Sequence, residues 1–411
     1  MDDAIRAALD ATWRDESARI IGALMRVVGD LEAAEEIAQE ALVTAMERWP
    51  ASGVPDNPGA WLTTTARRRA IDVARHRAMR DRKHELLAHR RPAAPEAKLI
   101  ADLDDDVKDD VLRLMLIACH PVLSKPARVT LTLRLVAGLK TDAIARALLT
   151  SESAVAQRVV RAKRTLRAAR VPFERPRGAL LAASVASVME VIYLIFNEGY
   201  VATAGDALTR PDLCREATRL GLLLAHLLPG AAEIHGLVSL MQLQAARLDA
   251  RTDDGGAPVL LLDQDRSRWD LRLIQQGLAS LDRAESMGGP HLGVYTLQAA
   301  IAACHARART ADDTPWDEIV ALYDALYQLT RSPVVDLNRA VAVGMAFGPE
   351  QGLEHVERLT AEGALSDYHL LPAVHGDLLL KLGRPEEARA HFQRAASMTR
   401  NARERELLLS R

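Results

Sequence analysis

Apolar residues recur at steps of three and four through most of this 411-residue chain, and that spacing predicts α-helices. Two such stripes fall within residues 15–49, on either side of a break at Gly29-Asp30. Aromatic residues make up only 4% of the chain, while Ala, Leu, Arg and Glu dominate, which also favours helices. We therefore predict an all-α protein, and its length predicts two or three domains.

The clearest pattern is a pair of helices within residues 139–167. Ile144 and Leu148 mark the first helix, and a polar break at residues 150–153 separates it from the second. Ser151 or Ser153 can accept a hydrogen bond from a backbone N–H at the start of the second helix. The buried stripe of that helix is predicted at Val155, Val159, Ala162 and Leu166. This arrangement is typical of a helix-turn-helix, whose second helix reads base edges in a major groove.

Basic residues are concentrated around this pair of helices. The segment from Lys125 to Arg170 has eleven Lys or Arg and two acids, in a chain of net charge −2. A basic helix face is often only solvated, but so large a local surplus favours DNA binding. The candidate DNA-binding residues of the second helix are Ser153, Gln157, Arg158, Arg161, Lys163 and Arg164.

A second basic helix is predicted from Trp61 to Lys83, with eight bases and two acids. Such a surface can follow a phosphate backbone, with binding that depends steeply on salt. We interpret Trp61 as a core residue rather than a base-stacking platform, because aromatic rings fill cores well. The helix before it begins with a dense acidic turn, which the helix dipole alone would favour.

Three motifs in this front half resemble region 2 of bacterial RNA polymerase sigma factors of the extracytoplasmic-function (ECF) group. They are AEEIAQE (Ala34 to Glu40), NPGAWL (Asn57 to Leu62) and ARRRAID (Ala66 to Asp72). Residues 139–167 resemble region 4 of the same factors, and the two sets in this order are more specific than either alone. The resemblance implies a region 2 helical bundle at residues 1–83, an acidic Pro/Ala-containing linker at 84–108 and a region 4 helix-turn-helix domain at 109–172.

The resemblance also implies partners and roles. The partners would be core RNA polymerase, through its β′ clamp helices and β flap, and double- and single-stranded promoter DNA. The residues of the second helix named above would read the −35 element. The −10 element would be bound by Arg67, Arg68, Arg69, Asp72, Arg75 and Arg77. Core polymerase would be bound by Glu35, Glu36, Gln39 and Glu40. Two residues depart from the family pattern: Arg68 where Asn is common, and Leu149 where the turn usually has glycine.

More than 230 residues follow the region 4 resemblance. Residues 1–177 have a net charge of +6 and the remainder −8, so only the front half suits a nucleic acid. Ile319, Leu353 and Ala388 are spaced by 34 and 35 residues, the period of tetratricopeptide (TPR) helical hairpins. We predict that residues 178–411 form an all-helical regulatory extension, TPR-like from about residue 300, which binds an unknown protein or peptide.

A charged stretch within residues 253–270 could suggest a catalytic site. Its candidate residues are Asp263, Asp265, Arg266, Arg268, Trp269 and Asp270. The stretch lacks a nucleophile–base pair, metal-ligand spacing and a phosphate-binding glycine pattern, so we interpret it as an interdomain contact. We therefore predict a protein that is not an enzyme and has neither metal nor cofactor. This stretch and Tyr193 to Tyr200 resemble a subgroup of long sigma factors with a TPR-like C-terminal extension.

The compartment is predicted from what the sequence does not contain. Acids stand where a signal peptide would need a basic start, and we identify no uninterrupted apolar stretch of about 18 residues. Cys119, Cys214 and Cys304 are far apart in sequence, which favours a reducing environment. We predict a cytoplasmic protein without membrane contact.

Three functions remain compatible with these patterns. The first is an ECF sigma factor that recruits core polymerase to −35/−10 promoters and is regulated by its extension. The second is a helix-turn-helix regulator with a TPR-like sensor domain that does not act as a sigma subunit, which leaves the helices around residues 35–40 and 67–82 without a role. The third is a scaffold with incidental basic surfaces.

Overall fold

A computed structural model of the protein describes residues 3–85, 107–289, 291–363 and 365–411. The backbone alone is described for Asp3, Ala74, 76–85, Val107 and Lys108. The described residues form α-helices and short 3-10 turns, without a β-strand, so the all-α prediction is confirmed. Contacts divide the chain into two compact units, Met1–Val191 and Ile192–Arg411. The predicted linker falls almost entirely outside the described residues, and the predicted domain boundaries stay predictions.

Unit 1 begins with three helices that pack together. They are α1 (Asp3–Val28), α2 (Leu31–Ser52) and α3 (Pro58–Glu85). Gly29 makes the break between α1 and α2 with a φ of +68°, and the side chain of Asp30 accepts a hydrogen bond from the Ala33 amide at 3.0 Å. Trp49 is fully buried, and Trp61 packs edge-on against it with ring centroids 5.6 Å apart. Trp61 is half-buried and packs against this core residue, while the exclusion of a base-stacking role stays a prediction.

The helix-turn-helix lies in the second half of unit 1. This half contains the helices α4 (Val107–Ala118), α5 (Lys125–Leu135), α6 (Thr141–Ala147) and α7 (Glu152–Ala168). The helix-turn-helix itself is formed by α6 and α7, and the other two helices belong to the same predicted domain. The predicted stripe of α7 is buried at all four positions, and Ser151 caps the helix by accepting a hydrogen bond from the Ala154 amide at 3.1 Å. Leu149 makes the turn before it with a left-handed φ of +45°, and its side chain is 52% exposed.

A long apolar helix, α8 (Gly178–Tyr200), contributes residues to both units. By length and composition alone it could cross a membrane, a feature that the sequence analysis did not identify. One such helix is weak evidence for a membrane span, because core helices meet the same criterion. Val188 and Val191 of α8 are fully buried within the protein.

Unit 2 continues as a series of packed helices. They are α9 (Pro211–Leu227), α10 (Ala232–Ala245), α11 (Leu271–Gly288), α12 (Val294–Arg307), α13 (Trp316–Thr330), α14 (Pro333–Phe347), α15 (Pro349–Ala361), α16 (Leu370–Lys381), α17 (Pro385–Met398) and α18 (Ala402–Ser410). Residues 246–270, between α10 and α11, contain three 3-10 turns: Leu248–Ala250, Leu261–Asp263 and Arg266–Arg268.

The three repeat positions fall at equivalent places in this series. Ile319, Leu353 and Ala388 lie in the first two turns of α13, α15 and α17, and all three are buried. In the last hairpin Gly376 lets α16 approach Phe392 of α17, because a Cβ at Gly376 would stand 2.9 Å from that ring. These features agree with helical hairpins of about 34 residues, although the TPR-like assignment stays a prediction.

The first connection of unit 2 is tied to its last helix by Asn401. Its side-chain amide donates to the carbonyl oxygens of Ala202 and Ala207 at 2.9 and 3.1 Å, and its oxygen caps α18 by accepting from the Arg403 and Glu404 amides. Asn401 is fully buried, so these four hydrogen bonds satisfy a side chain that would otherwise destabilise the fold. Residues 201–208 are thereby held against the start of α18.

We predict that Leu149→Gly stabilises the helix-turn-helix by about 1 kcal/mol, because a left-handed backbone costs a branched L-residue about that much and glycine little. The exposed side chain contributes little packing to offset this gain. Urea unfolding followed by circular dichroism measures the change. Leu149→Ala is the matched control, since alanine retains the Cβ, and equal stability of the two variants would contradict the prediction.

Candidate nucleic-acid interface

The outer face of α7 presents four of the predicted −35 residues to solvent. Ser153, Gln157, Arg161 and Arg164 are exposed. Arg161 donates a hydrogen bond to the side-chain oxygen of Gln157 at 2.9 Å, so the two side chains form one polar edge. This edge borders a groove of about 450 Å³ between α7 and the start of α5. Amide and guanidinium groups held in this way match the hydrogen-bonding pattern of base edges.

The other two predicted −35 residues point elsewhere. Arg158 is half-buried and donates to the hydroxyl of Thr130 on α5 at 3.2 Å. The ammonium group of Lys163 pairs with the carboxylate of Glu35 on α2. In this arrangement the half-buried Lys163 contacts α2, and its role as a DNA contact stays a prediction.

Glu35 is the centre of the contact between α2 and the helix-turn-helix. The residue is 4% exposed, and its Oε1 accepts hydrogen bonds from Arg134 Nε at 3.2 Å and Gln39 Nε2 at 2.9 Å. With Lys163 on the other oxygen, two cations neutralise one buried carboxylate. Two of the predicted polymerase-binding residues, Glu35 and Gln39, are thus engaged within unit 1.

Glu36 and Glu40, the other two predicted polymerase-binding residues, are placed differently. Glu36 is exposed, and Glu40 forms an ion pair with Arg69 of α3. The structure therefore joins one predicted polymerase-binding residue to one predicted −10 residue. The functional roles of both stay predictions.

The remaining predicted −10 residues lie along α3. Arg68, Asp72 and Arg75 are exposed, Arg67 is half-buried, and Arg75 lies 4.0 Å from Asp72. The backbone of Arg77 continues the helix, but its side chain lies outside the described residues. The exposed guanidinium groups of α3 give it the cationic surface that the sequence predicted.

Further contacts hold the helix-turn-helix against α1 and α2. Arg167 donates to both oxygens of Asp30, at 2.8 and 3.1 Å, and to Glu32 at 2.7 Å. Burial opposes ionisation of Asp30, but the Ala33 amide and Arg167 outweigh it and lower the pKa of that carboxyl. Gly138, with a φ of +66°, brings the α5–α6 turn so close to α1 that a Cβ there would lie 2.7 Å from Ser17 Oγ.

A second contact, which the sequence analysis missed, joins α8 to α5. Arg128 is 8% exposed and donates to Ser187 at 2.7 Å and to Glu190 at 3.1 Å. Ser187 in turn donates to the backbone oxygen of Cys119 at 2.6 Å, and Lys125 pairs with Glu190 at 2.7 Å. Hydrogen bonding and charge from Lys125 are the main cause of the lowered pKa of Glu190. The available sequence signal for such a partner was Glu190, an acid flanked by apolar residues of α8.

The charged stretch at residues 263–270 has local structural roles within unit 2. Asp265 caps a 3-10 turn, Asp270 caps α11, and Trp269 is buried in the core. Arg266 donates to the carbonyl oxygens of His305 and Ala308 at 2.8 and 2.6 Å, at the end of α12. Asp263 and Arg268 are exposed, and Arg268 donates to the Thr252 carbonyl at 3.4 Å. An interdomain role for these residues stays a prediction.

No group of three or more His, Cys, Asp or Glu side chains within the described ranges is arranged to hold a metal ion. The three cysteines are free and buried. Burial raises the pKa of each thiol to about 12, so none of them is a reactive thiolate at neutral pH.

Comparison with known proteins agrees with this geometry. Residues 13–80 match Sigma-70 region 2, residues 113–166 match Sigma-70 region 4, and residues 184–285 match a family of unknown function (DUF6596). An uncharacterized protein of Rhizobium meliloti is 43% identical over 412 residues, which cover 96% of this chain and 94% of the relative. A "Probable ECF RNA polymerase sigma factor SigI" of Mycobacterium tuberculosis is 26% identical over 163 residues, which cover 40% of this chain and 56% of that protein.

Two sigma regions in this order, on an exposed basic α7 and a cationic α3, define a sigma-70-type transcription initiation factor. The chain belongs to the ECF sigma factors and carries a C-terminal extension. Sigma factors of this type interact with core RNA polymerase and promoter DNA.

We predict that Glu35 and Lys163 are energetically coupled. Removing one member of a buried ion pair leaves the other charge uncompensated, so Glu35→Gln and Lys163→Met should each destabilise unit 1. The double variant should be more stable than the sum of the single effects predicts, by about 1–3 kcal/mol. Denaturant unfolding of the four proteins measures this coupling energy.

The control is a second double-mutant cycle, made on Asp10 and Lys140. This exposed pair also joins α1 to the helix-turn-helix region. An exposed pair should couple by less than about 1 kcal/mol. Equal coupling energies in the two cycles would show that the burial of Glu35 is without energetic consequence.

Proposed function

We propose that this protein acts as an ECF sigma subunit that recruits core RNA polymerase to promoters with −35 and −10 elements. The observation that carries the proposal is the exposed edge of Gln157, Arg161 and Arg164 on a capped helix. These residues are spaced by four and three positions, so they share one face and can enter a major groove together.

The −10 element is assigned to the exposed face of α3, where Arg68 and Arg75 are open to solvent. Arg67, Arg69, Asp72 and Arg77 complete the assigned set. Cationic side chains along one helix suit the backbone of a separated strand, and binding would weaken as salt rises. Core polymerase is assigned to α2 through Glu35, Glu36, Gln39 and Glu40, and to region 4 through the β flap. The protein would work in the cytoplasm, where polymerase and promoter are.

The polymerase-binding assignment has a structural consequence. Glu35 is buried against Arg134 and Lys163, so region 4 must move away from α2 before a polymerase helix can reach this carboxylate. We infer that the free protein is held closed by these pairs and opens when it binds core polymerase. Lys163 then serves as a latch in the closed form, and the DNA-reading edge of α7 is untouched by it.

The extension is proposed to regulate the sigma regions through α8. Ser187 and Glu190 hold Arg128 of α5, and the same helix continues into unit 2. A change in unit 2 that moves α8 would therefore alter the support of the helix-turn-helix. The TPR-like hairpins supply a surface for an unknown protein or peptide that could cause such a change.

The rival function is a helix-turn-helix regulator with a TPR-like sensor domain that does not replace a sigma subunit. It gives no role to the cationic face of α3 or the acidic face of α2. Run-off transcription with purified core polymerase, from the DNA upstream of the gene for this protein, distinguishes the two functions. A promoter-specific transcript that needs only this protein and core polymerase supports the sigma function, and none supports the rival.

We predict that Arg161→Ala and Arg164→Ala each reduce promoter-specific run-off by about 5- to 150-fold, because a guanidinium–base contact contributes about 1–3 kcal/mol. Arg283→Ala is the matched control, since it removes the same charge from an exposed position of α11 in unit 2. Transcription by the arginine variants at the control level would contradict the assignment of the −35 edge.

The variant Lys163→Met distinguishes a latch from a DNA contact when its affinity for core polymerase and the stability of its promoter complex are both measured. A latch predicts tighter binding of core polymerase, because opening costs less without the Glu35 pair. A DNA contact predicts unchanged polymerase affinity and a weaker promoter complex. A variant with unchanged polymerase affinity would reject the closed form.

Two truncated chains test the regulation. A chain ending at Val191 keeps the α5–α8 contact, whereas one ending at Arg177 loses it and leaves Arg128 without Ser187 and Glu190. We predict that the shorter chain is less stable by at least about 3 kcal/mol, because it loses two hydrogen bonds to a charged group, each of which contributes about 1.5–3 kcal/mol. Equal urea midpoints would contradict a supporting role for α8.

The chain ending at Val191 then isolates the effect of unit 2. Its run-off yield should differ from that of the full chain at equal occupancy of core polymerase. Identical polymerase binding and identical transcription would reject regulation by the extension.

A further inference from the structure

Tyr200 lies at the C-terminal end of α8, and two arginines cover its ring. The guanidinium carbon of Arg251 is 3.9 Å from the ring centroid, and that of Arg247 is 5.7 Å away. Phe196 stacks on the same ring with centroids 5.8 Å apart. Tyr200 is only 8% exposed, yet its hydroxyl has no hydrogen-bond partner in the part of the chain that the structure describes. Buried phenols normally have such a partner, so this hydroxyl can bind a further group.

The two arginines also lack acidic partners. Within the described residues, neither Arg247 nor Arg251 has a carboxylate within 4.0 Å, and Nε of Arg251 is buried without an acceptor. Other half-buried arginines of unit 2 have carboxylate partners, as Arg210 has Glu198 and Arg339 has Asp336. Arg266 instead donates to backbone carbonyl oxygens. Charges removed from water are ordinarily compensated in this way, so the cluster around Tyr200 is an exception.

A third arginine, Arg266, adds positive charge near Arg247, and His305 does not neutralise it. Burial, with Arg247 and Arg266, lowers the pKa of His305 to about 4, so this imidazole is neutral at pH 7. Burial and Arg247 also lower the pKa of Arg266, against the opposing effect of Asp313. Several cations within one partly desolvated region attract anions more strongly than the same charges in open solvent.

The nearby acids are already engaged. Arg251 contributes to the lowered pKa of Glu404, but that carboxylate accepts a hydrogen bond from Thr399 at 2.8 Å and faces His369 at 3.5 Å. Asp313 accepts hydrogen bonds from the Thr310 amide and hydroxyl at 3.0 and 2.9 Å. Each acid therefore has local partners, and neither forms an ion pair with Arg247 or Arg251.

We propose that Tyr200, Arg247 and Arg251 form a binding site for a small anion that carries carboxylate or phosphate oxygens. Guanidinium groups supply charge-assisted hydrogen bonds to such oxygens, and the phenol supplies a further donor. The site belongs to unit 2 and binds whether or not the sigma function proposed above is correct. Tyr200 is the last residue of α8, so the extension would bind this anion at the helix whose Ser187 and Glu190 also bind Arg128 of region 4.

The test is isothermal titration calorimetry of the full-length protein with sodium phosphate, pyrophosphate and citrate, at constant ionic strength set by chloride. At least one anion should bind saturably, and Arg247→Gln and Tyr200→Phe should each weaken it at least about tenfold. Arg283→Gln, an equal charge change on exposed α11, should leave the affinity unchanged. Binding of citrate alone identifies a carboxylate ligand, and binding of phosphate or pyrophosphate alone identifies a phosphate ligand.

Three results would overturn the site. They are no saturable heat with any of the anions up to about 10 mM, a loss as large in Arg283→Gln as in Arg247→Gln, and an unchanged affinity in Tyr200→Phe. The tyrosine variant removes one oxygen atom and keeps the ring beneath Arg251, so its fold should be retained. A matching melting temperature without ligand verifies this for each variant.

Discussion

The buried carboxylate of Glu35 is the interaction on which the arrangement of unit 1 depends. A single carboxylate in this position would be too costly to bury, and Arg134 and Lys163 together make its burial possible. Because the two cations come from α5 and α7, both helices must take one position relative to α2. The Arg167 pairs with Asp30 and Glu32 are more exposed, and exposed pairs contribute little to stability. The exposed pairs extend the contact, whereas Glu35 determines its register.

The position of Lys163 on α7 determines which surface the closed form covers. Gln157, Arg161 and Arg164 repeat at helical spacing on the outer face, while Lys163 adjoins the buried stripe and reaches α2. Closure therefore covers Glu35 of α2 and leaves the reading edge of α7 in solvent. A sigma factor restrained in this way would be limited at the step of polymerase binding. That restraint differs from one in which a domain covers the DNA-reading helix itself.

Local patterns were sufficient to predict the elements, but not the contacts between them. The stripe of α7, the Ser151 cap and the glycine-free turn at Leu149 all follow from spacing and residue type, because each depends on neighbours in sequence. Glu35 meets a residue 99 positions away, and Arg128 meets Glu190 across 62, so helical periodicity holds no information about either pair. Asp265 and Asp270 are adjacent in sequence to other charged residues, but each has a local role. Asp265 caps a 3-10 turn and Asp270 caps α11.

Whether a ligand at Tyr200 could affect region 4 depends on two energies, that of the contact between α8 and α5 and that of anion binding at Tyr200. The contact of Arg128 with Ser187 and Glu190 should contribute about 1.5–3 kcal/mol per hydrogen bond to a charged group. An anion at 100 times its dissociation constant stabilises the state that binds it by about 2.7 kcal/mol. The ligand's contribution is close to that of one of these two hydrogen bonds, so a ligand that distinguished two positions of α8 could weaken or strengthen the contact with α5. A ligand with equal affinity for both positions would change nothing, however tightly it bound. The anion can therefore regulate region 4 only if the contacts of Tyr200 differ between those positions.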